Sequence, residues 1–276
     1  MNPGDIARAA CAEWDLPEPT ALRAGSVPVF RAGDAVVRVA QPGLVSPVRL
    51  ASWLWELEVR VPRVLHHGLF DAHEVTALAF VSDCGDVDWD SVGEMVRRLH
   101  DARPPADLGP LPVAATFEWW DVEARLAEVD DLLDHAASEG LAAAIAQHGD
   151  WRARAGESVV CHGDLHPGNV LQGPDGPVLL DWDLLCWAPR AWDHAPLLTW
   201  EHRWGGEPGV YVRFADGYGR DFSGDVLGQD LAIMRNVVAT IMRLRAGPHD
   251  AAAAAEAQRR LAYWRGEEFA PQWRAM

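Results

Sequence analysis

The sequence predicts an α+β fold with two lobes, a small β-rich N-terminal lobe and a larger, mainly helical C-terminal lobe. Two observations lead to this prediction. Short β-branched runs dominate residues 26–81, and from residue 90 onward apolar residues recur at helical spacing. Because the pattern changes near residues 82–85, we place the N-terminal lobe at residues 1–82 and the C-terminal lobe at residues 83–276. A chain of this length fits either one large domain or two lobes.

The N-terminal lobe is predicted to be a sheet with one internal helix, preceded by a further helix. Pro17 and Pro19 end the first helix, and the Gly33-Asp34 pair is typical of a hairpin turn between two strands. The predicted elements are a helix at 5–14, strands at 26–31 and 35–40, a helix at 48–58, and strands at 61–65 and 75–81.

The C-terminal lobe is predicted to be helical apart from one β-rich segment. Its predicted elements are helices at 92–102, 119–135 and 141–155, a strand at 158–161, a hairpin formed by 170–172 and 178–180, and helices from there onward. The sequence Gly-Pro-Asp-Gly at 173–176 fits a type I turn, so the hairpin strands should run antiparallel. The helix at 119–135 is strongly acidic, and its single apolar stripe predicts one buried face and one solvated face.

Composition excludes several kinds of chemistry. All 24 basic residues are arginine, so a Schiff base, a P-loop lysine and a lysine general base are excluded. The formal charge of −17 argues against a nucleic-acid binder, because such proteins neutralise phosphates with basic patches. We therefore expect neutral or cationic partners.

The cysteine pattern and the N-terminus predict a soluble, cytoplasmic protein. The four cysteines are far apart and form no C-x-x-C pair, which favours neither a zinc site nor a disulfide framework. The N-terminus lacks the basic and apolar regions of a signal peptide, and no apolar run reaches the roughly 18 residues needed to cross a bilayer. We expect no membrane partner, and the oligomeric state stays open.

Residues 159–183 (VVCHGDLHPGNVLQGPDGPVLLDWD) carry the candidate chemistry. The predicted hairpin places Asp164, Asn169, Asp181 and Asp183 at one end. Three carboxylates would repel one another there, and a divalent cation is the natural compensation. Oxygen ligands of this kind favour a hard ion such as Mg²⁺.

The spacing within this segment matches a known pattern. Asp164 lies two residues after His162 and five before Asn169, and Asp181 follows twelve residues later. This reproduces the H-R-D-x-x-x-x-N loop and the following metal-binding aspartate of protein kinases. With H-G-D-L-H-P-G-N and D-W-D, the stretch resembles the aminoglycoside phosphotransferase family of small-molecule kinases. The resemblance implies a protein-kinase-like fold.

The resemblance also implies roles for individual residues. Asp164 would be the catalytic residue, which orients a substrate hydroxyl for attack on the γ-phosphate of ATP or GTP. Asn169 and Asp181 would hold Mg²⁺, with Asp183 as a less certain ligand. His166 stands where protein kinases place a lysine that touches the transferred phosphate.

Two further residues are interpreted as structural support of the catalytic loop. His162 is expected to pack and hydrogen-bond within the loop. Asp193, in the segment Trp-Ala-Pro-Arg-Ala-Trp-Asp, is expected to hold the loop through hydrogen bonds to its backbone.

In the N-terminal lobe the resemblance is weaker. It implies a nucleotide-covering loop that includes Ser26, a phosphate-contacting Arg38 in place of the usual lysine, and a hinge near Phe80 and Val81. The helix glutamate that would pair with the basic residue is replaced by Pro47. Two later glutamates, at positions 56 and 58, are candidates for that role, so the partner of Arg38 stays open.

The function predicted from these residues is transfer of the γ-phosphate of ATP or GTP to a hydroxyl of a small molecule. An aminoglycoside or another hydroxylated, cationic antibiotic or metabolite fits the family, and antibiotic resistance would be the consequence. One alternative is a metal-dependent hydrolase that uses the H-x-D-x-H run of His162, Asp164 and His166. The other is a nucleotide-binding pseudokinase, motivated by Pro47 and by a covering loop poor in glycine.

Overall fold

The computed structural model describes residues 1–23 and 27–275. The chain divides into two compact units. Unit 1 comprises Met1–Asp88, Ala102–Leu111 and Val170–Leu180, and unit 2 comprises Trp89–Asp101, Pro112–Asn169 and Asp181–Met276. The predicted lobe boundary after residue 82 stays a prediction, because a compact unit need not be a separate folding domain. Of the helices in the described part, none combines the length and the apolar character that crossing a membrane requires.

The secondary structure is mixed, as the sequence predicts. The helices are α1 (Pro3–Glu13), α2 (Pro47–Glu56), α3 (Trp89–Asp101), α4 (Val122–Ala127), α5 (His135–His148), α6 (Trp151–Arg154), α7 (Ala191–Leu198), α8 (Trp200–Trp204), α9 (Val210–Tyr218), α10 (Val226–Ala246) and α11 (Ala251–Trp264). The strands are β1 (Thr20–Arg23), β2 (Val29–Ala32), β3 (Ala35–Ala40), β4 (Val64–Phe70), β5 (His73–Ala79), β6 (Ser158–Cys161), β7 (Val170–Gly173), β8 (Gly176–Leu179) and β9 (Cys186–Pro189).

Unit 1 is built on a five-stranded antiparallel sheet with the order β1-β2-β3-β5-β4. Strand β3 buries alternate residues, since Val37 and Val39 are buried while Arg38 between them is partly exposed. Helix α1 packs Ile6 and Ala10 into the same core cluster. The predicted first helix and the predicted hairpin of β2 and β3 are confirmed.

Two strands of this sheet differ from the prediction. Strand β1, a run of only four residues, was not predicted from the sequence. Strand β4 is predicted at 61–65 but spans Val64–Phe70. Two consecutive histidines in β4 obscure the alternation of apolar and polar residues that would indicate a strand. The extent of β4 follows from its pairing with β5 along its whole length. Across this pair, His67 Nε2 lies 3.0 Å from Glu74 Oε1.

In unit 2, helices α3 and α9 approach each other through glycines. A Cβ on Gly93 would lie 2.1 Å from the carbonyl oxygen of Phe214, and one on Gly217 would lie 1.9 Å from that of Asp90. Any larger residue at either position would therefore push the two helices apart. Helix α10 buries a stripe of apolar residues at helical spacing: Leu231, Met234, Val237, Ile241 and Leu244.

The prediction of one acidic helix at 119–135 is wrong. The segment contains a 3₁₀ turn at Glu118–Trp120, helix α4 and a second 3₁₀ turn at Asp130–Leu132. Asp121 accepts the N–H of Ala124, and Asp134 accepts the N–H of Ala137, so each side chain caps a new helix start. These caps interrupt the helix that the apolar spacing alone would favour.

The strands of the segment with the candidate chemistry belong to two separate strand pairs. The predicted hairpin of β7 and β8 is confirmed, with Gly173 opposite Gly176 and a φ of 118° at Gly176. Strand β6 pairs with β9, which the sequence analysis missed. Strand β9 has the sequence Cys-Trp-Ala-Pro, too short and too poor in β-branched residues to give a strand signal. The β6–β9 pair belongs to unit 2, and the loop after β6 carries Asp164.

Candidate active site

The loop between β6 and β7 brings Asp164 and Asn169 together. Asn169 is 5% exposed, and its Nδ2 donates to the carbonyl oxygen of Asp164 at 2.9 Å and reaches the Oδ2 atom of the same residue at 3.5 Å. These bonds orient the amide, so Oδ1 of Asn169 is the atom that could ligate a cation. The five-residue spacing thus produces a direct contact between the two side chains.

His166 lies beside the same carboxylate. Its Nε2 is 3.6 Å from Asp164 Oδ2, and its Nδ1 accepts the N–H of Gly168 at 3.0 Å. With Nδ1 acting as the acceptor, the proton of the neutral ring is on Nε2, which faces Asp164. The imidazole also stacks on Trp200, with 6.5 Å between ring centroids.

Arg235, on α10, is a contact of Asp164 that the sequence analysis did not identify. Its Nη2 lies 3.1 Å from Asp164 Oδ1, and the side chain is 15% exposed. Residue 235 stands 71 positions after Asp164, in a helix whose pattern predicts only a buried stripe. No local signal in the sequence could have identified it.

The electrostatics keep Asp164 ionised. Burial by itself would raise the pKa of its carboxyl group. The hydrogen bond from His166 and the positive charge of Arg235 outweigh burial, and together they hold the pKa well below its usual range. The carboxylate is therefore ionised at neutral pH and can accept a hydrogen bond from a hydroxyl group.

Asp193 accepts hydrogen bonds from the backbone at the start of this loop. It is fully buried, and it accepts the backbone N–H of His162 at 2.7 Å and that of Gly163 at 2.9 Å. Burial would raise the pKa of its carboxyl group, but the hydrogen bond and charge of His100 outweigh that effect and lower it. The backbone bonds that the sequence predicts for Asp193 are present, and its effect on catalysis stays a prediction.

His100, at the end of α3, extends this network and was also missed. Its Nε2 lies 3.1 Å from Asp193 Oδ2, and its Nδ1 lies 2.9 Å from the hydroxyl of Tyr218. Arg190 donates to the same hydroxyl at 3.3 Å. A histidine at the end of an amphipathic helix gives no sign of a partner 93 residues away.

His162 is fully buried within the loop. Its Nδ1 accepts the N–H of Asp164 at 3.3 Å, and its ring lies 4.5 Å from that of Trp182.

In the described part of the chain, one group of three metal-ligating side chains has its ligand atoms within 4.8 Å of one another, namely His100, Cys161 and Asp193. Within the described residues the H-x-D-x-H run and Asp181 do not form such a group.

Asp181 and Asp183 follow β8, and both are exposed. Asp181 has a φ of 58°, a left-handed conformation that a residue with a Cβ seldom adopts. Strained backbone of this kind is common at functional sites, where the surrounding structure maintains it. The ligand role of Asp181 stays a prediction.

Of the residues predicted to bind nucleotide, Arg38, Phe80 and Val81 belong to unit 1, and His166 belongs to unit 2. Arg38 lies on β3 opposite Thr76 of β5. Phe80 is 38% exposed beneath the guanidinium of Arg31, which is 3.2 Å from the ring centroid, and Val81 follows it. Ser26 lies outside the described residues.

The helix that should carry the partner of Arg38 begins at Pro47, with Ser46 as its N-cap. Proline is favoured at the first helical position, which is the position that Pro47 occupies. Glu56 is the last residue of this helix, and Glu58 lies beyond it with a φ of 56°. The partner of Arg38 therefore stays open.

A model of the phosphotransferase enzyme family matches residues 24–236. The chain belongs to this family. It is therefore a phosphotransferase, as the spacing of Asp164, Asn169 and Asp181 predicts, and the resemblance to aminoglycoside phosphotransferases is confirmed. No curated protein matches the sequence significantly.

Several solved structures share the fold of this chain. The GDP complex of aminoglycoside 2'-phosphotransferase-IIIa aligns with a TM-score of 0.72 at 15% identity, covering 96% of this chain and 98% of that one. Spectinomycin phosphotransferase APH(9)-Ia, with ADP and spectinomycin, gives 0.70 at 14% identity, covering 97% and 94%. A choline/ethanolamine kinase family protein from Mesorhizobium loti gives 0.65 at 19% identity, covering 95% and 93%. The predicted two-lobed, protein-kinase-like α+β fold is confirmed.

Proposed function

We propose that this phosphotransferase transfers the γ-phosphate of ATP or GTP to a hydroxyl group of a small molecule, with Asp164 as the catalytic residue. The observation that carries the proposal is the contact of Asp164 with Asn169 in a loop whose backbone Asp193 holds. In phosphoryl transfer the attacking hydroxyl must be oriented, and an ionised carboxylate at a fixed place does this.

Asn169 and Asp181 are the residues that would hold Mg²⁺, and Asp183 is a further candidate ligand. The donor set fits the ion, because the Nδ2 atom of Asn169 is engaged by Asp164 and its Oδ1 is the atom suited to a cation. Carboxylate and amide oxygens are ligands that Mg²⁺ prefers. When bound, the ion neutralises charge on the nucleotide phosphates.

The remaining predicted residues would bind the nucleotide. Arg38 would contact the phosphates from β3, Ser26 would belong to the covering loop, and Phe80 and Val81 would form the hinge. His166 would contact the transferred phosphate through Nε2, the ring atom that faces Asp164. Related structures hold ADP in one case and GDP in another, so both ATP and GTP are candidate donors.

For the acceptor we propose a hydroxylated, cationic compound, such as an aminoglycoside or a metabolite. Between a cationic and an anionic acceptor, the net charge of −17 favours the cationic one. The similar structures come from an aminoglycoside kinase, a spectinomycin kinase and a choline/ethanolamine kinase family protein. Phosphorylation of an antibiotic would make the protein a resistance enzyme.

We also propose a cytoplasmic location. All four cysteines lie in the described part of the chain, and each is a free thiol. Free thiols suit a reducing compartment.

A screen of hydroxyl compounds tests the proposal. The protein is incubated with Mg-ATP or Mg-GTP and with spectinomycin, kanamycin, a macrolide, choline and ethanolamine, and nucleoside diphosphate release is measured. Phosphorus NMR of the product then locates the new phosphate ester. We expect one class of compound to accelerate release. Growth of a sensitive host expressing the protein, on the antibiotic found, tests the resistance role.

The pseudokinase alternative keeps one specific observation in its favour, which is Pro47 at the start of α2. It predicts that Mg-ATP or Mg-GTP binds, as a rise in melting temperature shows, while no compound in the panel or in a larger one is phosphorylated. Transfer to any hydroxyl group excludes it.

A further inference from the structure

The guanidinium of Arg235 bridges two groups of the catalytic loop. Its Nη1 and Nη2 lie 3.2 and 3.0 Å from the carbonyl oxygen of Gly163. The same Nη2 lies 3.1 Å from Asp164 Oδ1. One side chain thus joins the main chain just before Asp164 to the carboxylate of Asp164 itself.

The surroundings of the guanidinium fix its position. It lies over the ring of Trp192, 5.5 Å from the centroid, and the Nε1 of that tryptophan donates to the same Gly163 carbonyl at 3.1 Å. Trp192 is 1% exposed and packs against two further tryptophans, at 4.7 Å from Trp120 and 5.5 Å from Trp151. A planar fork held against a buried aromatic ring has little freedom to turn away.

The helix that carries Arg235 is equally well anchored. Its neighbours Met234 and Val237 are buried, and Asn236 accepts hydrogen bonds from Thr199 and from Trp204 Nε1 at 3.4 and 3.2 Å. Groups mounted on a packed helix are held more exactly in place than groups on a loop. Arg235 therefore links the Asp164 carboxylate, which belongs to a loop, to the well-packed helix α10.

The two oxygens of Asp164 differ as a result. Oδ1 accepts a hydrogen bond from the charged Arg235 at 3.1 Å, within the normal range of N–H···O distances. Oδ2 lies at the longer distances of 3.5 Å from Asn169 Nδ2 and 3.6 Å from His166 Nε2. Each carboxylate oxygen can accept two hydrogen bonds. At Oδ1 the charged Arg235 already takes one of them, whereas the contacts at Oδ2 are longer.

We propose that Arg235 is a positioning residue for phosphoryl transfer, which fixes the Asp164 carboxylate through Oδ1 and leaves Oδ2 as the oxygen that orients the acceptor hydroxyl. This inference rests on the proposed function, because it assigns Asp164 its catalytic role. Arg235 acts through Asp164 and contributes no atom to the transferred phosphate. Lysine is a poor replacement, because its ammonium is a point charge on a flexible stem and lacks the planar fork with which Nη1 and Nη2 both reach the Gly163 carbonyl.

The test compares Arg235→Met and Arg235→Lys with Arg213→Met as the control. Arg213 lies on α9 and pairs at the exposed surface with Glu207. Turnover is measured with Mg-ATP and Mg-GTP, using water, spectinomycin, kanamycin and choline as acceptors. We expect kcat to fall about 100-fold in Arg235→Met and about 10-fold in Arg235→Lys, while the nucleotide KM stays within about 2-fold. Arg213→Met should behave as the wild type.

A double-mutant cycle separates positioning from a merely structural role. If Arg235 acts through Asp164, then Arg235→Met should change the residual turnover of Asp164→Asn by less than about 2-fold. An equal fall in both backgrounds, or an unchanged kcat in Arg235→Met, contradicts the inference. If Arg235→Met does not fold, Arg235→Lys carries the test alone, and wild-type kcat in that variant overturns the inference.

Failure of the proposed function gives a different result. Wild-type turnover in Asp164→Asn, or no transfer by the unmodified protein to any acceptor including water, refutes the catalytic role of Asp164 and the inference with it. Loss of turnover in Asp164→Asn together with full turnover in Arg235→Met refutes the inference alone.

Discussion

Asp193 accepts the backbone N–H of Gly163 at 2.9 Å through Oδ1 and the N–H of His162 at 2.7 Å through Oδ2. Its Oδ2 also lies 3.1 Å from His100 Nε2. One buried carboxylate thus fixes two successive peptides immediately before Asp164. Asp193 is fully buried and helps to fix the conformation of the loop through these backbone hydrogen bonds.

Replacing Asp193 should therefore destabilise the protein as a whole. In Asp193→Asn only one side-chain atom can accept, so one backbone N–H is left buried without its partner, and His100 loses its carboxylate. We expect the free energy of unfolding to fall by about 3 kcal/mol in urea titrations. Asp216→Asn, at an exposed position of α9, is the control and should change it by less than about 0.5 kcal/mol. Equal effects would contradict the role.

Gly163 should not tolerate a side chain. Its φ is 93°, and an added Cβ would lie 1.8 Å from the carbonyl oxygen of Leu184. Gly219 provides a matched control, with a φ of 82° and nothing within 4 Å of the added Cβ. Gly219→Ala should cost about 1 kcal/mol through its backbone conformation alone. Gly163→Ala should cost at least about 2 kcal/mol more and abolish turnover, as thermal unfolding and activity assays would show.

His194 should make the stability depend on pH. The ring is fully buried among Phe214, Tyr218 and Phe222, and burial, aided by the charge of His100, lowers its pKa to about 3. In the unfolded chain the pKa of His194 is about 6.5. Below that pH the unfolded state therefore binds a proton on this ring, whereas the folded state keeps the ring neutral until the pH approaches 3. Stability is fully present above pH 6.5 and is lost progressively as the pH falls toward 3.

The size of this effect can be measured by urea unfolding at several pH values. Between pH 7 and pH 5 the contribution of His194 should fall by about 2 kcal/mol. His194→Phe should remove that part of the pH dependence, while His135→Gln, at a ring that is 89% exposed, should leave it unchanged. Parallel stability curves for the wild type and His194→Phe would show that His194 is not the source.

Arg260 and Arg259 are adjacent arginines with unequal expected effects. Arg260 is 2% exposed and donates to buried Glu256 at 3.1 Å, whereas Arg259 is 31% exposed and lies 3.3 Å from the same glutamate. Arg260→Met leaves a buried carboxylate without its main partner and should cost about 3 kcal/mol. Arg259→Met should cost less than about 1 kcal/mol. Similar losses in calorimetry would contradict this assignment.

The sequence predicts this fold well where the signal is local. The alternation of β3 and the spacing within the Asp164 loop both depend on near neighbours. The acidic helix failed because Asp121 and Asp134 cap new helices, a choice that helical spacing does not reveal. The roles of Arg235 and His100 could not be predicted from the sequence. Arg235 contacts Asp164 across 71 residues of sequence and His100 contacts Asp193 across 93, and only tertiary packing creates such contacts.

The most direct test of the account is the rate of γ-phosphate transfer to an acceptor hydroxyl by Asp164→Asn, with Asp175→Asn, in the exposed turn between β7 and β8, as the control. We predict that kcat falls about 10³-fold in Asp164→Asn, with the melting temperature and the nucleotide affinity close to those of the wild type, and that Asp175→Asn is unaffected. Retention of more than about a tenth of wild-type kcat in Asp164→Asn would contradict the central claim that this carboxylate orients the acceptor.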